Sequence, residues 1–385
     1  MKKIVLTLLM LGNIIMAATI DKIEVNGVSV PVIFEQDKRL PLVTMQFIFK
    51  NSGSVADTTK AGLAKFSARV MNEGTKELGS SAFAEALESR AIHISASTGV
   101  ETFVIEVGCL KEEFEEGLKY FDLLLKDPNF TQETITKVKT TTLGSLASKE
   151  NDFDYIASNE LKALLFEGSV LANPSSGTVE SVKSIELDDV KKFIAENLVA
   201  SKLIVVVGGD IESNDIKAKA SKIIKSMPIG KDGEVKNYSV TKEPKEKVVI
   251  KETEQAYVYF GSPYNISVDS EDNYKARVAT FILGAGGFGS RLMEEIRVKR
   301  GLAYSAYAKV DITKSSSYMN GHLQTKLESL EEAKKTVKDV VAQFVKGGVT
   351  QDELEQTKKF LLGSEPLRVE TMSQRLNRTF MEYYK

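Results

Sequence analysis

An internal repeat with an offset of 219 residues constrains this chain more than any other feature. Thr131-Gln132-Glu133 recurs as Thr350-Gln351-Asp352, and Leu143-Gly144-Ser145 recurs as Leu362-Gly363-Ser364. In the same register Glu112-Glu113 matches Glu331-Glu332, and the apolar positions Leu118, Phe121 and Leu125 match Val337, Val340 and Phe344. Three anchors in one register imply two copies of one unit, and 385 residues suffice for two full cores. Each copy opens with strands (Leu42 to Phe49; Ala256 to Phe260) and then a helix (Lys60 to Asn72; Asn273 to Leu283). More strands follow, and then helices whose apolar residues have helical spacing. Capping boxes at Ser329 with Glu332 and Thr350 with Glu353 mark two of the later helix starts.

This pattern predicts an α+β fold of two homologous halves, each a mainly antiparallel sheet with flanking helices. The expected layout is a signal peptide at 1–18, a first domain at 19–227, a linker at 228–247 and a second domain at 248–385. The linker stretch carries Gly230, Gly233, Pro244 and scattered lysines. By the repeat, residue 385 answers to Phe166, so the second half has no counterpart of the region from Glu167 to about Pro228. That region holds the predicted helix Asp188 to Glu196 and the apolar strand Leu203 to Val207. The expectation is therefore a second domain cut short at its C-terminus, because an open sheet edge invites aggregation.

Composition excludes several classes. A net charge of −2, with acids and bases intermixed, argues against a nucleic-acid partner. Met1-Lys2-Lys3, the apolar run Ile4 to Met16 and Ala17-Ala18 read as a cleavable secretory signal, which places the mature chain in a periplasm or outside the cell. The run is too short to favour a permanent anchor, and no other apolar run approaches the ~20 residues of a membrane span. With one cysteine, Cys109, no internal disulfide can form, and the thiol reads as a small core residue.

The segment Gly62-Leu63-Ala64-Lys65-Phe66-Ser67-Ala68-Arg69-Val70-Met71-Asn72-Glu73-Gly74-Thr75 resembles the zinc helix of the insulinase/pitrilysin metallopeptidase superfamily. That family writes G-x-A-H-x-x-E-H before a Gly-Thr, the inverted zincin motif. Gly62, Ala64, Phe66, Gly74 and Thr75 fill the frame, whereas Lys65 and Arg69 replace the ligand histidines and Ala68 replaces the catalytic Glu. Residues four apart share a helix face, which is how two histidines grip one ion. An ammonium and a guanidinium in those places repel a dication, and Arg cannot be deprotonated in a protein. The family's third ligand, a Glu on a later helix, aligns with Ser145, and an earlier Glu of that helix aligns with Val138. His93 and His322, the chain's two histidines, sit in alternating strand-like runs and read as structural. Without a metal nothing draws the pKa of an attacking water from about 15.7 toward 7, so no hydrolysis is expected from this chain alone and no cofactor is expected on it.

The stretch from Gly284 to Ser305 is similar to the same superfamily's S-R-L-x-x-x-x-R-x-x-x-G-L-A-Y-S signature, with every position filled. The resemblance implies that Arg297 and Tyr304 contact bound peptide: Arg offers a planar fork of donors and Tyr a hydroxyl. Gly284, Gly286, Gly287 and Gly289 form a glycine-rich loop comparable to that of the family's non-catalytic subunits. Their G-x-G-x-x-G spacing would serve a dinucleotide only after a strand, and a helix-like segment precedes them. The family also adds peptide to a sheet edge, here the predicted strand His93 to Phe103, with Ser95 where an Asn is common. No G-x-S-x-G elbow occurs.

The resemblance implies two such domains facing each other across a cleft. It further implies a non-catalytic subunit that binds unfolded peptide for a zinc-bearing paralogous chain, the zinc lying on that partner. The alternatives are a homodimeric peptide- or protein-binding scaffold with no hydrolase, and, with least support from the residues, the zinc-dependent peptidase that the family name would give.

Overall fold

A computed structural model describes residues 18–385, so the predicted leader lies outside the described residues but for its last position. The first half forms a six-stranded sheet from β1 (Thr19–Val25), β2 (Val28–Gln36), β3 (Leu42–Lys50), β4 (His93–Thr98), β5 (Thr102–Leu110) and β6 (Leu203–Gly209). Their spatial order is β1-β2-β6-β3-β5-β4. Neighbours are antiparallel except β2 with β6. The stretch read as one strand from His93 to Phe103 is instead a hairpin, because Gly99 turns the chain between β4 and β5.

Strict alternation sorts the two faces of this sheet. Val43, Met45, Phe47 and Phe49 face a core built with α1 (Leu63–Met71), α2 (Gly79–Glu88), α3 (Phe114–Lys126) and α4 (Gln132–Ser148). Helices α6 (Val179–Ser184), α7 (Leu187–Asn197) and α8 (Ser213–Ile224) complete that layer, and α5 (Phe153–Leu165) turns away from it. Phe47 meets Phe121 of α3 edge-on at 5.0 Å, an aromatic pairing that adds about 0.5–1.5 kcal/mol beyond burial. Helix α2 was not anticipated, since its run Gly79-Ser80-Ser81 lacks an apolar start.

The second half holds β7 (Gln255–Pro263), β8 (Ala303–Ile312) and β9 (Ser317–Lys326) in the order β7-β9-β8, all antiparallel. Its helices are α9 (Asn273–Thr280), α10 (Arg291–Met293), α11 (Leu330–Gly347), α12 (Gln351–Ser364) and α13 (Met372–Tyr384). The predicted helix Asn273 to Leu283 changes from α to π winding at Phe281, and a second π turn covers Glu294–Val298. The repeat survives in the burial pattern. Phe114, Gly117, Leu118 and Phe121 of α3 are buried, as are Ala333, Thr336, Val337 and Val340 of α11. Thr350 and Glu353 form their capping box, whereas Ser329 makes no cap bond with its side chain, because a 3-10 turn runs directly into α11.

The halves exchange helices. The 219-residue offset carries Phe153–Leu165 onto Met372–Tyr384, that is, α5 onto α13. Leu376, Phe380 and Tyr384 of α13 cover Ile33, Ile48, Ile204 and Val206 on the outer face of the first sheet. Strand β6 is thereby buried on both faces, which explains its unbroken apolar run. Reciprocally, α5 packs on β7: Phe153 meets Tyr257 at 5.5 Å, and the Tyr259 hydroxyl donates to Asp154 at 3.0 Å. Residues 225–254 contain no helix or strand. Among the described residues no helix is long and apolar enough to cross a membrane.

Candidate peptide-binding site and the altered metal face

Helix α1 begins at Leu63 rather than Lys60 because Gly62 adopts a left-handed conformation (φ 84°) just before it. Asp57 caps this start, accepting from the Gly62 N–H at 3.0 Å and the Ala64 N–H at 2.7 Å. Burial pushes its carboxyl up to about 7, against the pull of those two bonds. A side chain on Gly62 would collide with the backbone of Gly177, and one on Gly177 with the Ala61 carbonyl. Two facing glycines thus let the loop before α6 press against α1 and bring Ser176 to Lys65.

Lys65 and Arg69 project from one face of α1. Lys65 Nζ donates to Ser176 Oγ at 3.1 Å, and Arg69 Nη1 donates to Thr142 Oγ1 on α4 at 2.7 Å. Burial, then the charges of Arg69 and Lys149, hold the Lys65 ammonium below its ordinary pKa. Ala68 is buried in the core. Ser145 is exposed on α4 and turns its hydroxyl back to the Thr141 carbonyl at 2.9 Å, while Val138 is buried. A zinc ion needs lone pairs from thiolate, imidazole or carboxylate. The set here is an ammonium, a methyl, a guanidinium and a back-bonded hydroxyl, and it does not fit that ion. Among the described residues no three His, Cys, Asp or Glu side chains converge.

Asn72, at the end of α1, was not singled out from the sequence. Its amide donates to the Ala96 carbonyl at 2.9 Å and accepts from the Ala96 N–H at 2.7 Å. Ala96 lies on β4, the edge strand of the first sheet. The edge expected to receive peptide is thus occupied at its middle by a side chain. Ser95 on the same strand is half-buried.

In the second half Arg297 lies in the π turn Glu294–Val298. Its guanidinium carbon is 4.2 Å from the Tyr304 ring centre and 4.6 Å from that of Phe288, so it sits against two rings. Both rings face solvent, Phe288 with 70% and Tyr304 with 80% of its surface exposed. The sequence carries no signal for Phe288, a single aromatic set among glycines. Of these, Gly287 and Gly289 carry positive φ and form the turn, whereas Gly284 and Gly286 lie in tight packing. Gly284 belongs to the π turn and not to a loop, and a Cβ there would lie 2.6 Å from the Ala308 nitrogen of β8. Arg291 of the same signature is structural, since it clamps Glu353 through two bonds at 2.7 and 2.8 Å. No hydrogen bond or ion pair joins the α1 face to the Arg297 group among the described residues.

His322 stacks on Tyr259 at 5.3 Å and fits the structural role expected of it, but His93 is exposed at the start of β4. Cys109 is buried, and burial pushes its thiol up to about 11.

Residues 32–179 match the family described as Insulinase (Peptidase family M16), and residues 184–361 match the description Peptidase M16 inactive domain. A Helicobacter pylori protein named Non-peptidase homolog YmxG is 44% identical over 387 residues, covering 100% of this chain and 89% of that protein. A Bacillus subtilis protein named an uncharacterized zinc protease is 24% identical over 333 residues, covering 86% of this chain and 80% of its own. Among solved structures, the peptidase M16 inactive domain from Pseudomonas fluorescens matches with a TM-score of 0.83 at 26% identity, covering 90% of this chain and 84% of that one. The chain belongs to the insulinase (M16) peptidase family. Within that family it is an inactive homologue, without the residues that would ligate zinc.

Proposed function

We propose that this chain is the non-catalytic subunit of a two-chain peptidase in the periplasm or outside the cell, holding peptide for a zinc-bearing paralogue. The observation that carries this reading is the exposed stack of Phe288, Arg297 and Tyr304. Two rings flank the guanidinium and restrict it, while its N–H donors remain available to a peptide carbonyl or carboxylate. An immobilised fork of this kind can fix a peptide's register, and closing over it would exclude water from a partner's reacting centre. The work of this chain is then positioning, and the zinc chemistry belongs to the partner. Because Asn72 occupies the middle of β4, gripping is assigned to the second half rather than to strand addition along the first sheet.

Co-expression with a paralogue carrying H-x-x-E-H tests this. A tight complex with peptidase activity is expected, and Arg297→Ala should lower that activity about tenfold, the equivalent of roughly 1.4 kcal/mol. Equal turnover by the paralogue without this chain would refute the reading. Purification of this chain as a pair of identical copies, with no affinity for the paralogue, would favour the scaffold alternative.

A further inference from the structure

The altered metal face carries positive charge that no carboxylate neutralises among the described residues. Lys65 and Arg69 stand one turn apart on α1, and the charges felt by Lys65 are those of Arg69 and Lys149, both of its own sign. Neighbouring lysines on α4 are paired, Lys137 with Glu73 and Lys139 with Glu186. Among the described residues Lys65, Arg69 and Lys149 have no carboxylate partner, and Lys149 instead lies over the Tyr155 ring at 3.9 Å. The segment outside the described residues, 1–17, contains no Asp or Glu that could supply one.

The hydrogen bonds point the same way. A guanidinium has five N–H donors and an ammonium three. Arg69 uses one on Thr142 and Lys65 one on Ser176. Both hydroxyls act as acceptors in those bonds, so their own hydrogens remain to be donated. Thr142 is buried, and Ser176 is held by the close approach of Gly62 to Gly177. Two cations on one face of α1, each bonded to a hydroxyl that keeps its own hydrogen, thus hold unused donors, and the charge of a third cation, Lys149, also reaches Lys65.

We propose that this face binds an oxyanion, and that its occupant is the terminal carboxylate of a bound peptide. A planar fork on Arg69 matches a carboxylate, and Lys65 adds a point charge beside it. The neighbouring edge argues for a chain end over a chain middle: the Asn72 amide closes β4 at Ala96, so an extended peptide cannot run on along that strand. The oxyanion site stands on this geometry alone, whereas its peptide source rests on the peptide-binding reading above.

The test uses the full chain by itself, so its failure is distinct from failure of the two-chain assembly. Inorganic phosphate should raise the melting temperature more than sodium chloride does at equal ionic strength. Lys65→Gln with Arg69→Gln should abolish that difference, and Arg69→Lys, which retains the charge, should retain most of it. An N-acetylated hexapeptide with a free carboxylate should bind at least about tenfold tighter than its C-terminal amide. Equal responses to phosphate and chloride in the unaltered chain, or a response unchanged in the double Gln variant, would overturn the oxyanion site. Equal binding of acid and amide would overturn the peptide terminus as its occupant.

Discussion

The two halves run through their elements in the same order and put different groups where chemistry could occur. In the first, β3, α1, α2 and the β4–β5 hairpin frame a half-exposed face whose two cations bond the hydroxyls of Ser176 and Thr142. In the second, β7, the α9 and α10 segments and the β8–β9 hairpin frame an outward-facing stack on a π turn, a winding that often marks functional sites. Packing explains why the first frame stays recognisable without its ligands. Ala64, Phe66 and Val70 are core residues, while Lys65 and Arg69 are half-exposed, so their identity can change at little cost to folding. The second frame shows the converse. An exposed Phe288 buries little and contributes little to stability, so its role is sought in binding.

The comparison is tested most severely where the halves interlock. Arg375 of α13 donates to Glu35 Oε1 at 2.8 and 2.5 Å, and Glu35 is buried with its Oε2 unpartnered. Arg375→Ala should cost about 3–5 kcal/mol, because it strands a buried carboxylate. Replacing both residues by Met should recover most of that loss. Urea unfolding provides the measurement. One cooperative transition, shifted as a whole, would mean the halves share one folding unit through the exchanged helices. A separate early transition would mean that they fold apart.

A smaller effect confined to the second half comes from Glu353. Arg291 first, then the Thr350 N–H and hydroxyl, hold its carboxyl down at about 2 despite partial burial. A carboxylate lowered on folding adds stability above its unfolded value of about 4.5, and loses it as pH falls through about 2. Glu353→Gln should therefore cost about 1–3 kcal/mol at pH 7, discounted for solvent screening, and almost nothing near pH 2. A loss that persists undiminished in acid would assign the effect to packing.

The first half predicts the opposite sign at Lys65. Its ammonium is held below the ordinary lysine value of 10.5, so between the two values the unfolded chain binds more protons. Stability should rise with pH across that interval. Lys65→Met should remove this rise and stabilise the chain slightly at pH 7, by less than about 1 kcal/mol in this half-exposed position. Comparing the two proteins in denaturant at pH 8 and pH 10 isolates the contribution. A variant less stable than the parent at pH 7 would mean that the bond to Ser176 outweighs the repulsion.

What the sequence reveals and what it hides divide along a physical line. The repeat was legible because helix faces need apolar residues at fixed intervals, and the same intervals recur in α3 and α11. The altered metal face was legible because the identities of Lys65, Ala68 and Arg69 alone decide whether an ion can be held. Contacts between distant segments were not. Asn72 reaches Ala96 across 24 residues, and Ser176 meets Lys65 only because two glycines face each other. Boundaries failed where local signals are weak, as at the Gly99 turn, the start of α2 and the 3-10 turn ahead of α11.

The smallest expected effect is also the one that most directly separates binding from folding. Each aromatic face against an exposed guanidinium contributes about 0.5–1 kcal/mol at most. Phe288→Ala should therefore leave stability within about that margin, since the ring is exposed and packs on little besides Arg297. Tyr304→Phe retains the ring and should change stability even less. If these residues serve recognition, both variants should nonetheless weaken peptide capture, measured by fluorescence anisotropy of a labelled unfolded peptide with the two-chain complex. Phe288→Ala should weaken it more than Tyr304→Phe, because it frees the guanidinium to rotate away from its register. A melting temperature that falls while peptide affinity holds would reverse the assignment: the stack would then be a clasp closing the π turn, and the second half would have no better claim to the peptide than the first.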